Sequence, residues 1–323
     1  MLALTAPRAP TVPIAGPFYE SYYVTASDPA SARALWLRYT VLKRPGRPAF
    51  PTVWLTYFDR AATAPRAWRV TAAEPLLRPQ QAWVRSALGE IGPAGARGAI
   101  GEPDRAGVAA RVRWELSWRP RADQVAYLPA RWLYDRAIPR SNGAALVPAG
   151  TASGAVSLGD DEVRLDGWEV MVGHNWGTDH ADRWCWIHAA RLGEDGAGWL
   201  DLVLVRIQLG RLLTPWIAAG AVCVNGRRYA PARPGRVVCE RAGEETAVHL
   251  RLARGARLGL TVSAPRAATV TWDYAGPVAP GRAVDNCSVA DARLQLETPA
   301  GVASSRLTGA VAIEHGEPPR RTD

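Results

Sequence analysis

Hydrophobic and polar residues alternate along most of the chain with a period of two. Eight segments show this alternation and carry β-branched or aromatic side chains, a combination typical of strands that have one face in a core. Patterns with a helical period are scarce. The alternation therefore predicts an all-β protein, with strands at residues 34–41, 52–58, 110–118, 183–189, 199–209, 245–253, 258–264 and 292–298.

Short clusters rich in glycine and proline separate these segments. Clusters such as "RPGRP", "EDGAG", "VNGRR" and "APGRA" are long enough for hairpins and too short for crossover helices, so the sheets are predicted to be antiparallel. Residues 89–101 carry glycine at every third position without the strand–turn–helix context of a dinucleotide-binding loop. We interpret this stretch as a flexible loop.

The chain has 323 residues, which exceeds the usual size of a single domain. Residues 139–154, "PRSNGAALVPAGTASG", are rich in small and turn-forming residues and divide the chain almost evenly. We interpret them as a linker and predict two all-β domains, residues 1–150 and 151–323, built as barrels or sandwiches in tandem. A barrel of about eight strands can hold one small ligand.

Composition and charge exclude several classes of protein. The net charge is +9, but all except one of the 39 basic residues are arginines scattered along the chain, so no nucleic-acid surface is predicted. The four cysteines form no CxxC pair. The longest apolar run, of about 13 residues, is shorter than a membrane-spanning helix, and the first residues lack a basic leader. We therefore expect a cytoplasmic protein without stable membrane insertion, and the sequence gives no indication of its oligomeric state.

Residues 172–188, "VGHNWGTDHADRWCWIH", contain three of the five histidines. His174, His180 and His188 are six and eight residues apart, which does not match the spacing of helical or compact zinc sites. On a strand, Cys185 would lie on the face opposite to His188. No metal site is predicted, and the absence of a nucleophile elbow argues against a covalent hydrolase.

The chain has 14 tryptophans, several of which share a strand face. Such rows either fill a core or line an apolar pocket, where ring faces can stabilise positive charge. Acid–base candidates near them are Glu20, His174, Asp179, His180, His188 and Asp273, although each could instead hold a turn through a hydrogen bond. The candidates for substrate binding are Tyr22, Trp36, Arg38, Trp54, Tyr57, Trp114, Trp118, Asn175, Trp176, Trp184, Trp186, His188 and Trp272.

The segment "GHNWGTDHADRWCWIH", preceded by "VRLDGWEVMV", resembles the second-domain signature of the tocopherol cyclase and carotenoid hydratase (AttH-like) superfamily. The resemblance implies two tandem lipocalin-like antiparallel β-barrels. Where hydratase-like members carry an aspartate, this chain has Gly173, so the carboxylate assigned to proton donation there is missing. Asp179, His180 or Glu20 could take that role.

This resemblance favours an enzyme: a cofactor-independent cyclase or isomerase that acts on a hydrophobic polyene of isoprenoid or polyketide origin. The superfamily includes hydratases, chromanol-forming cyclases and Diels–Alderases, so cyclisation, a pericyclic reaction or hydration would each fit. The substrate is expected to bind between the two barrels. The alternatives are a non-catalytic carrier of a lipophilic molecule and an interaction protein with filled barrels.

Overall fold

The computed structural model describes residues 16–318, except 29, 75–81, 102–111, 136–139, 194–195, 234 and 279–280. These residues form two large, curled antiparallel sheets and one small hairpin, which confirms the predicted all-β, lipocalin-like fold. Among them, no helix is long and apolar enough to span a membrane. The described helices are three short 3-10 helices, Arg131–Asp135, Ala253–Gly255 and Arg266–Ala268.

The first sheet runs in the order β4-β3-β2-β1-β11-β10-β8-β7-β6-β5, with β9 paired to β10. Its strands are β1 (Phe18–Asp28), β2 (Arg33–Lys43), β3 (Phe50–Asp59), β4 (Arg66–Thr71), β5 (Val84–Ser86), β6 (Gly89–Gly92), β7 (Gly95–Ile100), β8 (Val112–Pro120), β9 (Val125–Ala126), β10 (Ser141–Leu158) and β11 (Asp161–Gly177).

The second sheet runs in the order β17-β16-β13-β12-β23-β22-β20-β19-β18, with β21 paired to β22, while β14 and β15 form the small hairpin. The strands are β12 (Arg183–Leu192), β13 (Gly198–Arg206), β14 (Gln208–Leu209), β15 (Leu212–Leu213), β16 (Ile217–Val224), β17 (Arg227–Tyr229), β18 (Val237–Ala242), β19 (Glu245–Arg251), β20 (Arg257–Ser263), β21 (Val270–Tyr274), β22 (Arg282–Thr298) and β23 (Gly301–Glu317).

Both sheets follow the same plan. In each, the first strand pairs with the last, so β1 lies beside β11 and β12 lies beside β23. The last two strands of each sheet form a long central hairpin, and a short strand pairs with the beginning of that hairpin. The resemblance implied two tandem barrels, and this repeated plan agrees with it.

All eight predicted segments coincide with strands, with differences at their ends and a break at Ile207; residues 110 and 111 lie outside the described residues. The interpretation of residues 89–101 as a loop was wrong, because most of them form β6 and β7. A Cβ on Gly95 would lie 2.3 Å from the carbonyl oxygen of Leu116, so glycine permits a close approach of two strands there.

The interpretation of residues 139–154 as a linker was also wrong. Residues 141–154 belong to β10, and residue 139 lies outside the described residues. A Cβ on Gly154 would lie 2.0 Å from the carbonyl oxygen of Glu115, so the small side chains serve strand packing. The boundary at residue 150 therefore falls inside a strand, and the chain changes sheets after Gly177. The division into two domains stays a prediction.

Alternate residues of each strand face opposite sides of its sheet. In the first sheet, Leu37 and Tyr39 belong to a core inside the first barrel. Trp36 and Trp54 face the other way and share a core with buried residues of the second sheet. A third, smaller core joins Tyr23 of the first sheet to residues of the second. The two sheets are thus packed against each other through aromatic side chains; we call this side of each sheet the intersheet face.

Candidate functional site

Many of the predicted site residues lie in or beside three separate groups, while Tyr57, Trp114 and Trp118 belong to the core of the first barrel. The glutamate cluster, inside the first barrel, contains Glu20, Tyr22, His174 and Trp176. The other two groups lie on the intersheet faces. The arginine cluster contains Arg38, Trp54, Trp184, Tyr274 and Glu314. The aspartate cluster contains Tyr23, Tyr127, Trp186, His188 and Asp201.

The glutamate cluster forms because β1 and β11 run antiparallel, with Tyr22 opposite His174 and Glu20 opposite Trp176. The Tyr22 hydroxyl donates a hydrogen bond of 3.0 Å to Glu20 Oε1, and His174 Nε2 lies 3.0 Å from the same oxygen. The His174 ring stacks on the Tyr22 ring, with centroids 4.0 Å apart, and on Trp176 at 4.4 Å. A carboxylate and an imidazole are thereby held in fixed orientation.

The electrostatics of this cluster favour a neutral histidine. His174 is fully buried, and this burial lowers its pKa, although the Glu20 carboxylate opposes the shift. Its Nδ1 has no hydrogen-bond partner among the described residues. Neutral His174 can therefore accept a proton or a hydrogen bond, but it is poorly suited to act as an acid near neutral pH.

The other predicted binding residues of the first barrel fit its core better than a pocket. Tyr57, Trp114 and Trp118 are buried in that core. The Trp114 indole donates a hydrogen bond of 2.8 Å to the Tyr39 hydroxyl, and the Trp118 indole donates one of 2.8 Å to the Pro93 carbonyl. Since both polar hydrogens are satisfied inside the protein, these residues match the core-filling alternative.

Arg38 is the centre of the arginine cluster, and only 4% of it is exposed. Its Nε and Nη2 donate hydrogen bonds of 3.1 and 2.8 Å to the hydroxyl of Ser21. The guanidinium carbon lies 3.9 Å from the centroid of the Tyr274 ring and 5.9 Å from that of Trp54. A cation is thus buried against aromatic rings between the sheets.

Glu314, a residue that the sequence analysis missed, fixes the surrounding side chains. Its Oε1 accepts a hydrogen bond of 2.9 Å from the Trp184 indole. Its Oε2 accepts one of 2.8 Å from the Tyr274 hydroxyl and one of 3.3 Å from the Asn286 amide. These donors are neutral, so the carboxylate holds its place through hydrogen bonds and not through an ion pair. Tyr274 is held between this carboxylate and Arg38.

Three tryptophans extend the wall of the arginine cluster. Trp54 meets Trp272 edge-on at 5.2 Å, and Trp36 stacks on Trp272 at 6.2 Å. The indole N–H groups of all three are buried without a hydrogen-bond partner among the described residues. Buried donors normally find partners, so these three N–H groups are available to a polar group of a ligand.

Asp179 and His180 lie in the turn that follows β11, near the arginine cluster. Asp179 Oδ1 accepts a hydrogen bond of 2.8 Å from the backbone N–H of His180, which is the turn-holding role considered as the alternative for this residue. The His180 ring packs on Tyr19 at 4.0 Å. Burial, reinforced by the charges of Arg38 and Arg282, lowers the pKa of His180 to about 3, so it is neutral near pH 7.

Asn175 lies opposite Ser21 and therefore shares the intersheet face near Arg38. It is half-buried, and its Oδ1 has no hydrogen-bond partner among the described residues. It can orient a donor group of a ligand.

The aspartate cluster surrounds Asp201, which is fully buried and was not among the candidates. Asp201 Oδ1 accepts a hydrogen bond of 3.0 Å from the Trp186 indole, and Oδ2 accepts one of 2.8 Å from the Tyr127 hydroxyl. His188 Nδ1 lies 3.7 Å from Oδ1, which is too far for a hydrogen bond. Trp186 and His188 share this face while Cys185 lies in the opposite core, as predicted.

The structure explains why glycine occupies position 173. Gly173 lies directly opposite Tyr23, and a Cβ there would lie 2.2 Å from Cζ of the tyrosine ring. The second sheet repeats this arrangement, because Gly316 lies opposite Trp184 and a Cβ there would lie 2.1 Å from the indole. Each aromatic ring lies over a glycine of the neighbouring strand.

Sequence signals for the missed residues do exist. Asp201 interrupts the apolar run "WLDLVLV", and Glu314 interrupts "AVAIEHG". A single carboxylate within a strand of buried residues is expected only where hydrogen bonds compensate its desolvation. The described residues contain no group of three or more His, Cys, Asp or Glu side chains that could hold a metal ion.

Comparison with solved structures identifies chains that share this architecture. CghA, a Diels–Alderase, aligns with a TM-score of 0.61 and 8% identity, over 93% of this chain and 88% of its own. An AttH-like protein from Nitrosomonas europaea aligns with a TM-score of 0.55 and 14% identity, over 95% and 99%. Kievitone hydratase from Nectria haematococca aligns with a TM-score of 0.48 and 9% identity, over 94% and 89%. The alignments with CghA and the AttH-like protein confirm the predicted resemblance for the fold.

Sequence comparison finds two uncharacterized proteins of Mycobacterium tuberculosis, MT0513 and Rv0493c, from strains CDC 1551 and H37Rv. Each is 29% identical to this chain over 172 residues, which are 53% of this chain and 48% of the relative. The chain therefore spans about half the length of the curated relatives it matches. No family model matches the chain.

Proposed function

We propose that this protein is a cofactor-independent cyclase or isomerase that acts on a hydrophobic polyene of isoprenoid or polyketide origin, bound between the two sheets. The observation that carries the proposal is the arginine cluster. It places a buried cation, a tyrosine hydroxyl and a carboxylate beside several tryptophans where the two sheets meet. CghA, which shares the fold, is a Diels–Alderase, and this supports the same class of reaction.

Cyclisation of a polyene forms carbon–carbon bonds within one molecule, so no atom is gained or lost. The main barrier is entropic, because a flexible chain must fold until its reacting carbons approach. Rigid indole walls can impose such a shape: Trp54 and Trp272 are held by their mutual contact, and Trp184 by its hydrogen bond to Glu314. Shape is therefore the first contribution that the protein makes.

The second contribution is electrostatic. Arg38 can polarise a carbonyl or carboxyl oxygen of the ligand, which lowers the energy of a conjugated acceptor. The faces of Tyr274 and the indoles can stabilise positive charge on a polyene carbon by about 0.5–2 kcal/mol each. Because its oxygens are held by neutral donors, Glu314 keeps the Tyr274 ring in one position. Tyr274 and Glu314 thus act as positioning residues.

The experiment begins with the lipophilic compound that co-purifies with the protein, extracted and identified by mass spectrometry. The purified protein is then incubated with that compound and with its acyclic precursor, and the products are separated by chromatography. We expect a product with unchanged mass, a new retention time and reduced polyene absorbance. A gain in mass of one water would indicate hydration, and a precursor returned unchanged would indicate a carrier.

Two substitutions test whether the reaction takes place at the arginine cluster. Tyr274→Phe and Glu314→Gln are expected to lower turnover by about 100-fold, the usual effect of removing one positioned polar group. Glu162→Gln is the matched control, because Glu162 lies on an exposed hairpin and, among the described residues, forms its ion pair with exposed Arg164. Unchanged turnover in both cluster variants, with His174→Gln inactive, would move the site into the first barrel and contradict binding between the sheets.

A further inference from the structure

We infer that the ligand of the arginine cluster carries an oxygen anion, a carboxylate or an enolate, and that Arg38 binds it. This inference rests on the proposed function, because it assigns a chemical class to one end of the same ligand. It adds a charged head to the hydrophobic polyene and gives Arg38 a defined partner.

The first argument is the burial of Arg38 without a counter-ion. Among the ion pairs of the described residues, none involves Arg38. Arginines are rarely buried unless they are paired, because desolvation of the charge is costly. Ser21 accepts two hydrogen bonds from the guanidinium but carries no charge. A ligand anion would supply the missing partner.

The second argument is the charge around the site. Trp54 lies near two guanidinium groups, since Arg69 also lies 4.1 Å from its ring centroid. Arg282 is buried nearby, and its charge acts on His180 together with that of Arg38. Glu314 keeps its negative charge, but its oxygens already accept three hydrogen bonds from neutral donors. Arg282 pairs with Asp182 at 3.6 Å. Of the two buried arginines among the described residues, Arg38 is therefore the one without a carboxylate partner, and this favours an anionic ligand.

The third argument is the geometry of the guanidinium. It is planar and has five N–H donors, which match the two oxygens of a carboxylate or the conjugated oxygens of an enolate. The Tyr274 ring lies 3.9 Å from its carbon, which fixes the plane of the group. A planar anion joined to a conjugated chain would therefore place its chain along the tryptophan wall.

The test uses two conjugated polyenes that differ only in the head group: all-trans-retinoic acid, which carries a carboxylate, and all-trans-retinol, which carries a neutral hydroxyl. Binding is measured through quenching of tryptophan fluorescence. We expect retinoic acid to bind the wild-type protein about 10- to 100-fold more tightly than retinol, the range expected for one charge-assisted hydrogen-bonded pair.

Three variants test whether the preference for retinoic acid over retinol depends on Arg38. Arg38→Gln is expected to bind both retinoids equally, and Arg38→Lys to retain part of the preference, because the charge remains without the planar fork. Arg113→Gln is the matched control: it removes an exposed arginine of β8, outside the arginine cluster, and should keep the preference. A preference that survives in Arg38→Gln would overturn the inference.

Thermal unfolding separates a binding role from a structural one. If Arg38 serves the ligand, Arg38→Met should melt at the same temperature as the wild type or higher, because an unpaired buried cation is replaced by an apolar chain. If Arg38→Met melts at a lower temperature than the wild type and still prefers retinoic acid over retinol, the inference is overturned. Equal binding of the two retinoids by the wild type would overturn it while leaving the proposed function standing. If the wild type binds neither retinoid, both the inference and the proposed function are contradicted.

Discussion

The two barrels share one strand plan but differ in what their interiors contain. Inside the first, the strand pair β1–β11 brings Glu20, Tyr22 and His174 into one hydrogen-bonded group. Inside the second, the corresponding pair β12–β23 contributes Cys185, Ile187 and His315, and His315 lies 3.0 Å from the neutral hydroxyl of Thr246. Each interior thus buries a histidine, but its partner is a carboxylate in the first barrel and a hydroxyl in the second.

The two barrels also contribute different residues to the three clusters. The second barrel contributes Trp184, Asp201 and Glu314 through its intersheet face. The first barrel contributes Arg38 through its intersheet face and also holds the glutamate cluster inside. The carboxylates of these clusters therefore lie inside the first barrel and on the intersheet face of the second.

The largest expected effect tests whether the barrels unfold separately. Leu37, inside the first barrel, and Leu202, inside the second, are both fully buried. Leu37→Ala and Leu202→Ala should each lower the free energy of unfolding by about 2–5 kcal/mol. Because cores join the two sheets, we expect one thermal transition in calorimetry, shifted by both variants. Two thermal transitions, each shifted in temperature by only one of the two variants, would show that the barrels unfold independently.

The second prediction compares the histidines inside the two barrels. Burial, aided by the charge of Arg241, lowers the pKa of His315 in the second barrel from 6.5 to about 4, and its nearest polar partner is the Thr246 hydroxyl at 3.0 Å. The unfolded chain therefore binds a proton before the folded one as the pH falls. Stability should be intact above pH 6.5 and decrease between pH 6.5 and about 4, by up to about 3 kcal/mol from this group.

Urea unfolding at several pH values measures this effect. His315→Gln should flatten the decrease between pH 6.5 and 4. His174→Gln should flatten it less, because the Glu20 carboxylate already opposes the fall in the pKa of His174. If stability decreases with falling pH just as steeply in His315→Gln as in the wild type, His315 binds its proton equally well in the folded and the unfolded state.

The third prediction concerns the two glycines that lie opposite aromatic rings. Gly173→Ala pushes a methyl group against Tyr23, which is buried, and should cost about 1–3 kcal/mol of stability. Gly316→Ala pushes one against Trp184, which is only half-buried, so fewer packed contacts are disturbed and its cost should be smaller. Urea unfolding of both variants provides the measurement. Equal costs would show that the two rings are equally confined.

Alternation along the chain was sufficient to predict strands with one face in a core. It failed where both faces are buried or where the residues are small. Strand β1 is buried along nearly its whole length, so its sequence "FYESYYVTASD" shows no alternation. In β10, glycine and alanine allow neighbouring strands to approach, and that composition resembles a linker.

The candidate site was predicted in part. Residues 172–188 predicted a crowded aromatic region, and the structure divides its histidines among three environments: inside a barrel, in a turn and on the intersheet face. Strand spacing could place Trp186 and His188 on one face, because that relation lies within one strand. It could not bring Arg38 to Tyr274, since their contact depends on how the two sheets pack.

The pairing of the first strand with the last has a consequence for biosynthesis. Strand β1 leaves the ribosome before its partner β11, which follows only after some 130 further residues have been made. Until then, a long strand whose two faces are both buried in the folded protein keeps one edge unpaired, and slow closure of distant strands favours aggregation. Newly made chains should therefore depend on chaperones until Gly177 has emerged, and the second barrel repeats the same delay.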